Sequence, residues 1–130
     1  MDHFTSQRVF EDCGGFENKR LSLWAVLVFA ILSDKSCENT AEIVTLDILK
    51  RFPSSQDLVC PSQEAEDDLF DLLLPVGDMQ TKVKRLVQMS SDYNVIFNLY
   101  DFKKWNIIAM RGCNKYVDDV WNMFMQTNSL

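Results

Sequence analysis

The chain has 130 residues, 47% of them hydrophobic, and a formal net charge of −6 at pH 7. This length accommodates one globular domain with a substantial core and is too short for two domains that each have their own core. The net negative charge argues against a nucleic-acid partner, because neutralising phosphates requires clustered Lys and Arg. However, residues 1–77 hold 14 acids and 6 bases, whereas residues 78–130 hold 5 acids and 7 bases. Any anion-facing surface is therefore expected in the second half of the chain.

The first predicted helix runs from about Leu21 to Leu32 and follows a segment, residues 1–20, that we expect to be flexible. Only Ser22 interrupts its apolar run. A helix that is apolar on nearly every side is typical of an element surrounded by others. The run falls well short of the roughly 20 residues that a membrane span needs. We therefore predict a central core helix in a single domain over residues 21–130, and no membrane association.

Three more helices are predicted before residue 78, each with a start or stop signal. Ser33, Asp34 and Ser36 are N-cap candidates for a helix that Pro53 ends. Ser54 and Ser55 precede a short helix, and Ser62 precedes an acidic one. The apolar positions of these helices are Ala41, Val44, Ile48 and Phe52, then Leu58 and Val59, then Leu69, Phe70, Leu73 and Leu74.

The second half of the chain continues with helical spacing. A helix begins at Met79, with Lys82, Lys84 and Arg85 on or beside its solvent side. Residues 94–100 fit either a buried helix or a short extended piece. Asp101 is a candidate N-cap for a helix over about residues 102–109, and the last helix covers about residues 115–125. Because no segment alternates as a strand would, the predicted class is an all-α helical bundle.

The cysteines and the single histidine do not suggest a metal or cofactor site. Cys13, Cys37, Cys60 and Cys113 are scattered without a C-x-x-C pair, and only His3 could join them as a ligand. His3 has no partner for a catalytic dyad. We interpret the cysteines as buried small hydrophobic residues of a reducing compartment.

The turn between the last two predicted helices, residues 110–116, is the most informative local feature. A short hairpin presents the N–H groups at the start of its second helix, where the helix dipole favours a phosphate. Arg111 and Lys115 would add positive charge, and Asn114 tolerates the left-handed conformation better than most residues. Such a turn binds nucleic-acid backbone without reading bases. An ordinary helix–helix turn with a glycine C-cap is the alternative.

Several segments in the same order resemble the helix-hairpin-helix DNA glycosylase superfamily, in particular its methyl-CpG-binding-domain thymine glycosylase branch. The similarity covers about residues 21–124. Arg111 to Phe124 resembles the family's hairpin and the helix that follows it. The other matching segments are residues 23–33, 49–54, 72–77 and 82–86.

The resemblance implies a helical fold that clamps bent DNA, flips a base into a cleft and hydrolyses its glycosidic bond. It places Arg111, Gly112, Cys113, Asn114 and Lys115 in the hairpin that anchors DNA backbone. It also places Asp34 near the wedge position and Tyr116 where lyase-competent relatives have lysine. Asp34 and Tyr116 are thus the expected lesion-pocket or wedge positions.

This sequence also departs from the family's pattern. Asn114 replaces a customary glycine, and Asp34 brings a negative charge to a position that is basic in the relative. The family's catalytic aspartate is expected beyond Leu130. Asp118 and Asp119 fit a solvated helix face better than a catalytic pair. Tyr116 excludes lysine-type lyase chemistry, and the iron–sulfur motif of some relatives is absent. We assign no catalytic residue, cofactor or metal, and these departures disfavour catalysis.

Three functions remain open. The first is a nuclear, glycosylase-like module related to base excision repair that has lost catalysis. It would bind duplex DNA weakly through the hairpin, or a protein partner that completes the helical lobe. The second is a fragment of an active thymine/uracil mismatch glycosylase, and the third is an all-helical interaction adaptor. A homodimer is a further alternative, because a truncated lobe would leave apolar surface uncovered.

Overall fold

A computed structural model describes residues 3–128, and all regular structure in that range is helical. The all-α prediction is confirmed. Six α-helices follow one another: α1 (His3–Asp12), α2 (Lys19–Ser33), α3 (Glu38–Arg51), α4 (Gln63–Leu72), α5 (Met79–Leu99) and α6 (Lys115–Thr127). Four 3-10 turns connect them: Gly15–Asn18, Ser55–Leu58, Phe102–Lys104 and Ile107–Ala109. Within the described residues, no helix has the length and apolar character needed to cross a bilayer.

Helix α2 is the centre of the bundle, as its apolar run predicts. Every residue from Ser22 to Ser33 is buried, and α1, α3, α5 and α6 all pack against it. Two large polar side chains inside this core have partners. The Trp24 indole donates to Ser90 Oγ at 3.0 Å. The Tyr93 hydroxyl likewise donates to the Arg20 carbonyl at 2.6 Å. The core therefore combines apolar burial with satisfied hydrogen bonds.

The N-terminal segment differs from the flexible one expected from the sequence. Residues 3–12 form α1, which packs on α2, α3 and α6, and Val9 and Phe10 are essentially inaccessible to solvent. The Phe10 ring makes an edge contact with Phe124, with 4.9 Å between the ring centroids. With Cys13, the buried apolar residues of this segment number three, which is too few to form a recognisable pattern in the sequence. Their burial nevertheless supplies free energy that orders this segment.

The helix caps before α5 are partly as predicted. Ser62 caps α4 by accepting from the Ala65 N–H at 3.1 Å. Ser54 also acts as a cap, but the helix after it is only a 3-10 turn. The N-cap of α3 is Cys37 and not one of the earlier polar residues.

The segment after α5 departs most from the predicted helices. Helix α5 continues to Leu99, so the ambiguous stretch is helical as far as that residue. It is not the buried helix considered from the sequence, because Val95 and Leu99 are exposed. The helix predicted over residues 102–109 is wrong, because two 3-10 turns occupy this stretch. Between them, Trp105 and Asn106 have extended ψ angles of 137° and 96°. This break accompanies the packing of Trp105 against Trp121, with 5.5 Å between ring centroids, so tertiary contacts outweigh a weak local preference.

Candidate functional site

The predicted hairpin forms a surface bend over residues 110–116, between the last 3-10 turn and α6. Arg111, Asn114 and Lys115 are exposed, while Gly112 and Cys113 are half-buried. The first arm of the bend is a 3-10 turn and not an α-helix, so only one full helix meets this bend.

Gly112 fixes the bend against α5. Its φ angle is +81°, and a Cβ atom added there would lie 2.2 Å from the Arg85 carbonyl oxygen. The Gly112 carbonyl also accepts from Arg85 Nε at 2.9 Å. Only glycine combines this left-handed backbone with such a close approach to another backbone. The left-handed position of the bend is therefore Gly112; Asn114, considered for that conformation, is extended with φ −128°.

Asn114 instead begins α6 as its N-cap. Its Oδ1 accepts from the Val117 N–H at 3.1 Å. Among the described residues, nothing accepts from the N–H groups of Lys115 and Tyr116, as is usual in a first helical turn. These two donors lie at the positive end of the α6 dipole. The start of α6 can therefore bind an anion oxygen.

Both basic side chains of the bend are paired with acids. Arg111 Nη2 lies 2.9 Å from Asp92 Oδ1, and the Arg111 N–H donates to Asp92 Oδ2 at 2.7 Å. Burial disfavours the ionised Asp92 carboxylate, but the hydrogen bonds and charge of Arg111 outweigh it and hold the pKa of Asp92 below its usual value. Lys115 pairs with Asp119 one turn along α6. A phosphate would have to compete with these carboxylates.

Asp34 lies beside the bend in a small polar cluster. Its Oδ2 accepts from Arg85 Nη1 at 3.1 Å and from Asn114 Nδ2 at 3.0 Å. The Asp34 and Arg85 side chains are only 12% and 16% exposed, so their ion pair is largely removed from solvent. Arg85 Nη2 is buried without a hydrogen-bond partner among the residues that the structure describes. Asp34 thus neutralises Arg85 and contacts the N-cap residue of α6.

A cleft of about 280 Å³ opens next to this cluster. Its lining carries three cations and two carboxylates, together with two neutral polar residues: Lys35, Lys82, Arg85, Asp34, Asp78, Thr81 and Asn114. Lys82 was predicted on or beside the solvent side of α5 but is 2% exposed. Its ammonium donates to the Leu32 and Val76 carbonyls at 3.1 and 3.3 Å. Burial lowers the pKa of Lys82, and the nearby Asp78 and Asp34 oppose that effect.

Tyr116 and Cys113 are not poised for covalent chemistry. The Tyr116 hydroxyl donates to Ser33 Oγ at 3.0 Å, and burial raises its pKa. Burial also raises the pKa of the Cys113 thiol to about 12, which keeps it protonated at neutral pH. A neutral thiol and a tethered phenol are poor nucleophiles. Tyr116 therefore connects the start of α6 to the end of α2, and the Cys113 thiol stays in its neutral form.

The structure brings most of the predicted residues into one region. Asp34, Gly112 and Asn114 all contact Arg85 or one another. Tyr116 reaches back to Ser33, the residue before Asp34. The sequence pattern assigns no functional role to Arg85, Lys82 or Asp92. Their spacing of three and seven residues places them on one face of α5. Nothing in the sequence shows that this face meets the bend and its cleft.

The cysteines are more varied than predicted. Cys13 is buried, Cys113 is half-buried, and Cys37 and Cys60 are exposed. The interpretation of all four as buried hydrophobic residues is therefore wrong for Cys37 and Cys60. Over residues 3–128, no cluster of His, Cys, Asp and Glu side chains could hold a metal ion.

Comparisons with known proteins leave the site to be interpreted from its own geometry. No protein-family model, curated protein or solved structure matches this chain.

Proposed function

We propose that this chain is a DNA-glycosylase-like domain, related to base excision repair, that binds the backbone of duplex DNA weakly and without catalysis. The start of α6 carries the proposal. Its bend lies at the surface, and the N–H groups of Lys115 and Tyr116 are unpaired among the described residues. Backbone donors at the positive end of a helix suit a phosphate oxygen. A nuclear location follows from this proposal.

The neighbouring charges make the proposed binding weak. Lys115 and Arg111 are exposed and paired with Asp119 and Asp92. Exposed ion pairs contribute about 0–1 kcal/mol, so phosphate can replace a carboxylate at little cost. The carboxylates remain close, however, and repel a polyanion. The buried Asp34–Arg85 pair cannot turn outwards as easily, and its cation is already neutralised.

The absence of catalysis is proposed from the state of the residues beside the bend. Asp34 is held by Arg85 and Asn114, Tyr116 by Ser33, and the Cys113 thiol is protonated at neutral pH. Asp118 and Asp119 are engaged with Asn122 and Lys115 on the surface of α6. None of these groups is a free and oriented acid or base of the kind that hydrolysis of a glycosidic bond needs.

Titration of a labelled duplex, followed by fluorescence anisotropy, tests the binding. Lys115→Glu removes a cation at the bend and is expected to weaken binding at least tenfold. Lys50→Glu is the matched control, because Lys50 is similarly exposed and also pairs with an acid on its own helix. It is expected to bind within about twofold of the unchanged protein. Equal loss in both variants would show that only net charge matters and would refute a site at the bend.

A strand-cleavage assay at abasic sites, on duplexes with a T:G or U:G mismatch, separates this proposal from its enzymatic alternative. We expect no excision above a protein-free control. Measurable turnover that requires the protein would favour the second candidate, an active mismatch glycosylase. The third candidate, an interaction adaptor, gains support from a separate apolar surface on α5.

A further inference from the structure

The C-terminal end of α5 presents an apolar surface that the described part of the fold leaves uncovered. Val95, Leu99 and Tyr100 are each about 60% exposed. Beside them is a cleft of about 240 Å³, lined by Ile96, Tyr100, Lys104, Trp105, Asn106 and Ala109. Val95 and Leu99 are adjacent on one helix face because they are four residues apart. We call Val95, Leu99, Tyr100 and the cleft the α5 patch.

The size and lining of the cleft suit a side chain better than a small molecule. Its volume is below the roughly 300–1,000 Å³ typical of ligand pockets. Trp105 is engaged through its ring with Trp121 and through its indole N–H with the Tyr100 carbonyl. One face of the Trp105 ring is therefore occupied by Trp121.

Cations that have no acidic partner among the described residues lie near the α5 patch, as does the exposed Asp101, which accepts from the Lys103 N–H. In the described part of the chain, six basic side chains form ion pairs: Arg8, Lys50, Arg51, Arg85, Arg111 and Lys115. Four of the remaining seven lie near the end of α5 and the 3-10 turn after it: Lys19, Arg20, Lys103 and Lys104. The Lys19 ammonium lies over the ring of Phe102, and the Arg20 guanidinium lies over the ring of Phe97. Four of the seven basic residues without an ion pair in the described part of this acidic chain thus lie beside an apolar surface.

Helix α4 has the complementary character. Its outer side bears Phe70, which is 39% exposed, and Leu74 follows at 59% exposed. Asp67 and Asp71 flank them at helical spacing and are exposed. Neither aspartate forms an ion pair among the described residues; Asp67 accepts only from Gln63 on the same helix. We call Asp67, Phe70, Asp71 and Leu74 the α4 stripe.

We propose that the α5 patch binds the α4 stripe of a second copy of this chain. Phe70 or Leu74 would enter the cleft, and the flanking aspartates would meet Lys103 and Lys104. Each partner surface is apolar in its middle and charged at its edge, and the two edges have opposite sign. The proposed contact is head-to-tail: each molecule binds one neighbour through its α5 patch and another through its α4 stripe, so every pair keeps one surface of each kind free.

This arrangement predicts assembly that grows with protein concentration and weakens with salt. Sedimentation velocity of the whole chain is expected to show species larger than a monomer, and to show fewer of them as salt rises. A protein that stays monomeric at all concentrations would overturn the proposal. So would dimers that salt leaves unchanged.

Two single variants test the two surfaces separately. Leu99→Asp should block the α5 patch, and Phe70→Asp should block the α4 stripe, because each puts a carboxylate into an apolar contact. Each variant alone is expected to self-associate at least tenfold more weakly than the unchanged chain. Ile43→Asp is the matched control, since Ile43 is 62% exposed on α3 outside both surfaces, and it should assemble normally.

Mixing the two blocked variants gives the sharpest result. Phe70→Asp retains an intact α5 patch and Leu99→Asp an intact α4 stripe, so a mixture has one productive contact and should stop at a one-to-one dimer. Circular dichroism first establishes that both variants are folded. A mixture that stays monomeric, while the unchanged chain assembles, would contradict the head-to-tail contact. This test does not involve the bend at Gly112, so it can fail while the DNA-binding proposal stands.

Discussion

Gly112 shows how a single residue determines the position of the bend. Its sequence context indicates a turn, and the structure adds a contact that no local pattern encodes, the approach of its Cα to the Arg85 backbone. Asn114 is informative in the opposite sense, since its amide both caps α6 and contacts Asp34, 80 residues away. A cap at a helix start is a local feature of the kind that sequence can indicate. The contact of the Asn114 amide nitrogen with Asp34 is not local, so the sequence gives no sign of it.

Substitution of Gly112 by alanine is expected to destabilise the protein more than the same change at Gly77. Both glycines have positive φ angles, +81° and +73°, but a Cβ at Gly77 has nothing within 4 Å. Gly77→Ala therefore carries only the left-handed penalty of about 1 kcal/mol. Gly112→Ala adds a clash with backbone and should cost at least about 2 kcal/mol in total. Urea unfolding measures both, and equal losses would contradict the contact with α5.

The thiols are expected to react in an order set by their environments. The N–H groups of Thr40 and Asn39 favour the Cys37 thiolate and lower its pKa, and this side chain is exposed. Burial raises the pKa of Cys13 to about 11 and of Cys113 to about 12. Iodoacetamide at a mildly alkaline pH, followed by peptide mass spectrometry, should modify Cys37 well before Cys13 or Cys113. Early modification of Cys113 would mean that the bend opens readily.

At the scale of elements, the helices with strong apolar periodicity were predictable and the connection from α5 to α6 was not. The α2, α3 and α4 regions carry clear apolar patterns, and Ser62 caps α4 as predicted, whereas α2 and α3 begin without a side-chain cap. Residues 101–109 carry a cap at Asp101 and some helical spacing, yet they form two 3-10 turns. The deciding contacts of Trp105 are with Tyr93, Phe97 and Trp121, which are distant in sequence or on other elements. Local spacing cannot report such contacts.

The Asp92–Arg111 pair connects α5 to the bend and should give a specific pH dependence. Because the folded pKa of Asp92 is lowered, its contribution to stability is present above the unfolded value of about 3.9 and is lost as pH falls through the folded pKa. Arg111→Met should raise the pKa of Asp92 and reduce this loss. Carboxyl ¹³C NMR titration measures the pKa directly.

A matched control is available in the pair between Lys115 and Asp119, which lies within α6. Lys115→Met is expected to leave the pKa of Asp92 unchanged, since Lys115 makes no contact with it among the described residues. If Arg111→Met also leaves the Asp92 pKa unchanged, then Arg111 does not anchor the bend to α5 in solution.

At the scale of the whole molecule, α1 belongs to the same core as the rest of the bundle. Val9, Phe10 and Cys13 are buried together with residues of α2 and α6. Because this helix has few apolar residues and no clear caps, its sequence does not reveal that it is packed. The predicted domain boundary at residue 21 therefore excludes a helix that contributes to stability.

Truncation of Phe10 tests this role of α1. Phe10 is 1% exposed, so Phe10→Ala is expected to lower the free energy of unfolding by about 3–5 kcal/mol. Ile43→Ala is the control, because Ile43 is 62% exposed and its truncation should cost well under about 1 kcal/mol. Thermal and urea unfolding followed by circular dichroism measure both variants. A loss at Phe10 no larger than at Ile43 would mean that α1 is detached in solution.

The salt dependence of duplex-DNA affinity tests most directly the central claim, that the start of α6 contacts phosphate. The logarithm of the binding constant should fall linearly with the logarithm of salt concentration, by about 0.9 for each phosphate contacted. Lys115→Glu should reduce this slope by about one unit, and Lys50→Glu should leave it unchanged. No detectable binding even at low salt, or a slope that Lys115→Glu does not alter, would contradict phosphate binding at this helix start.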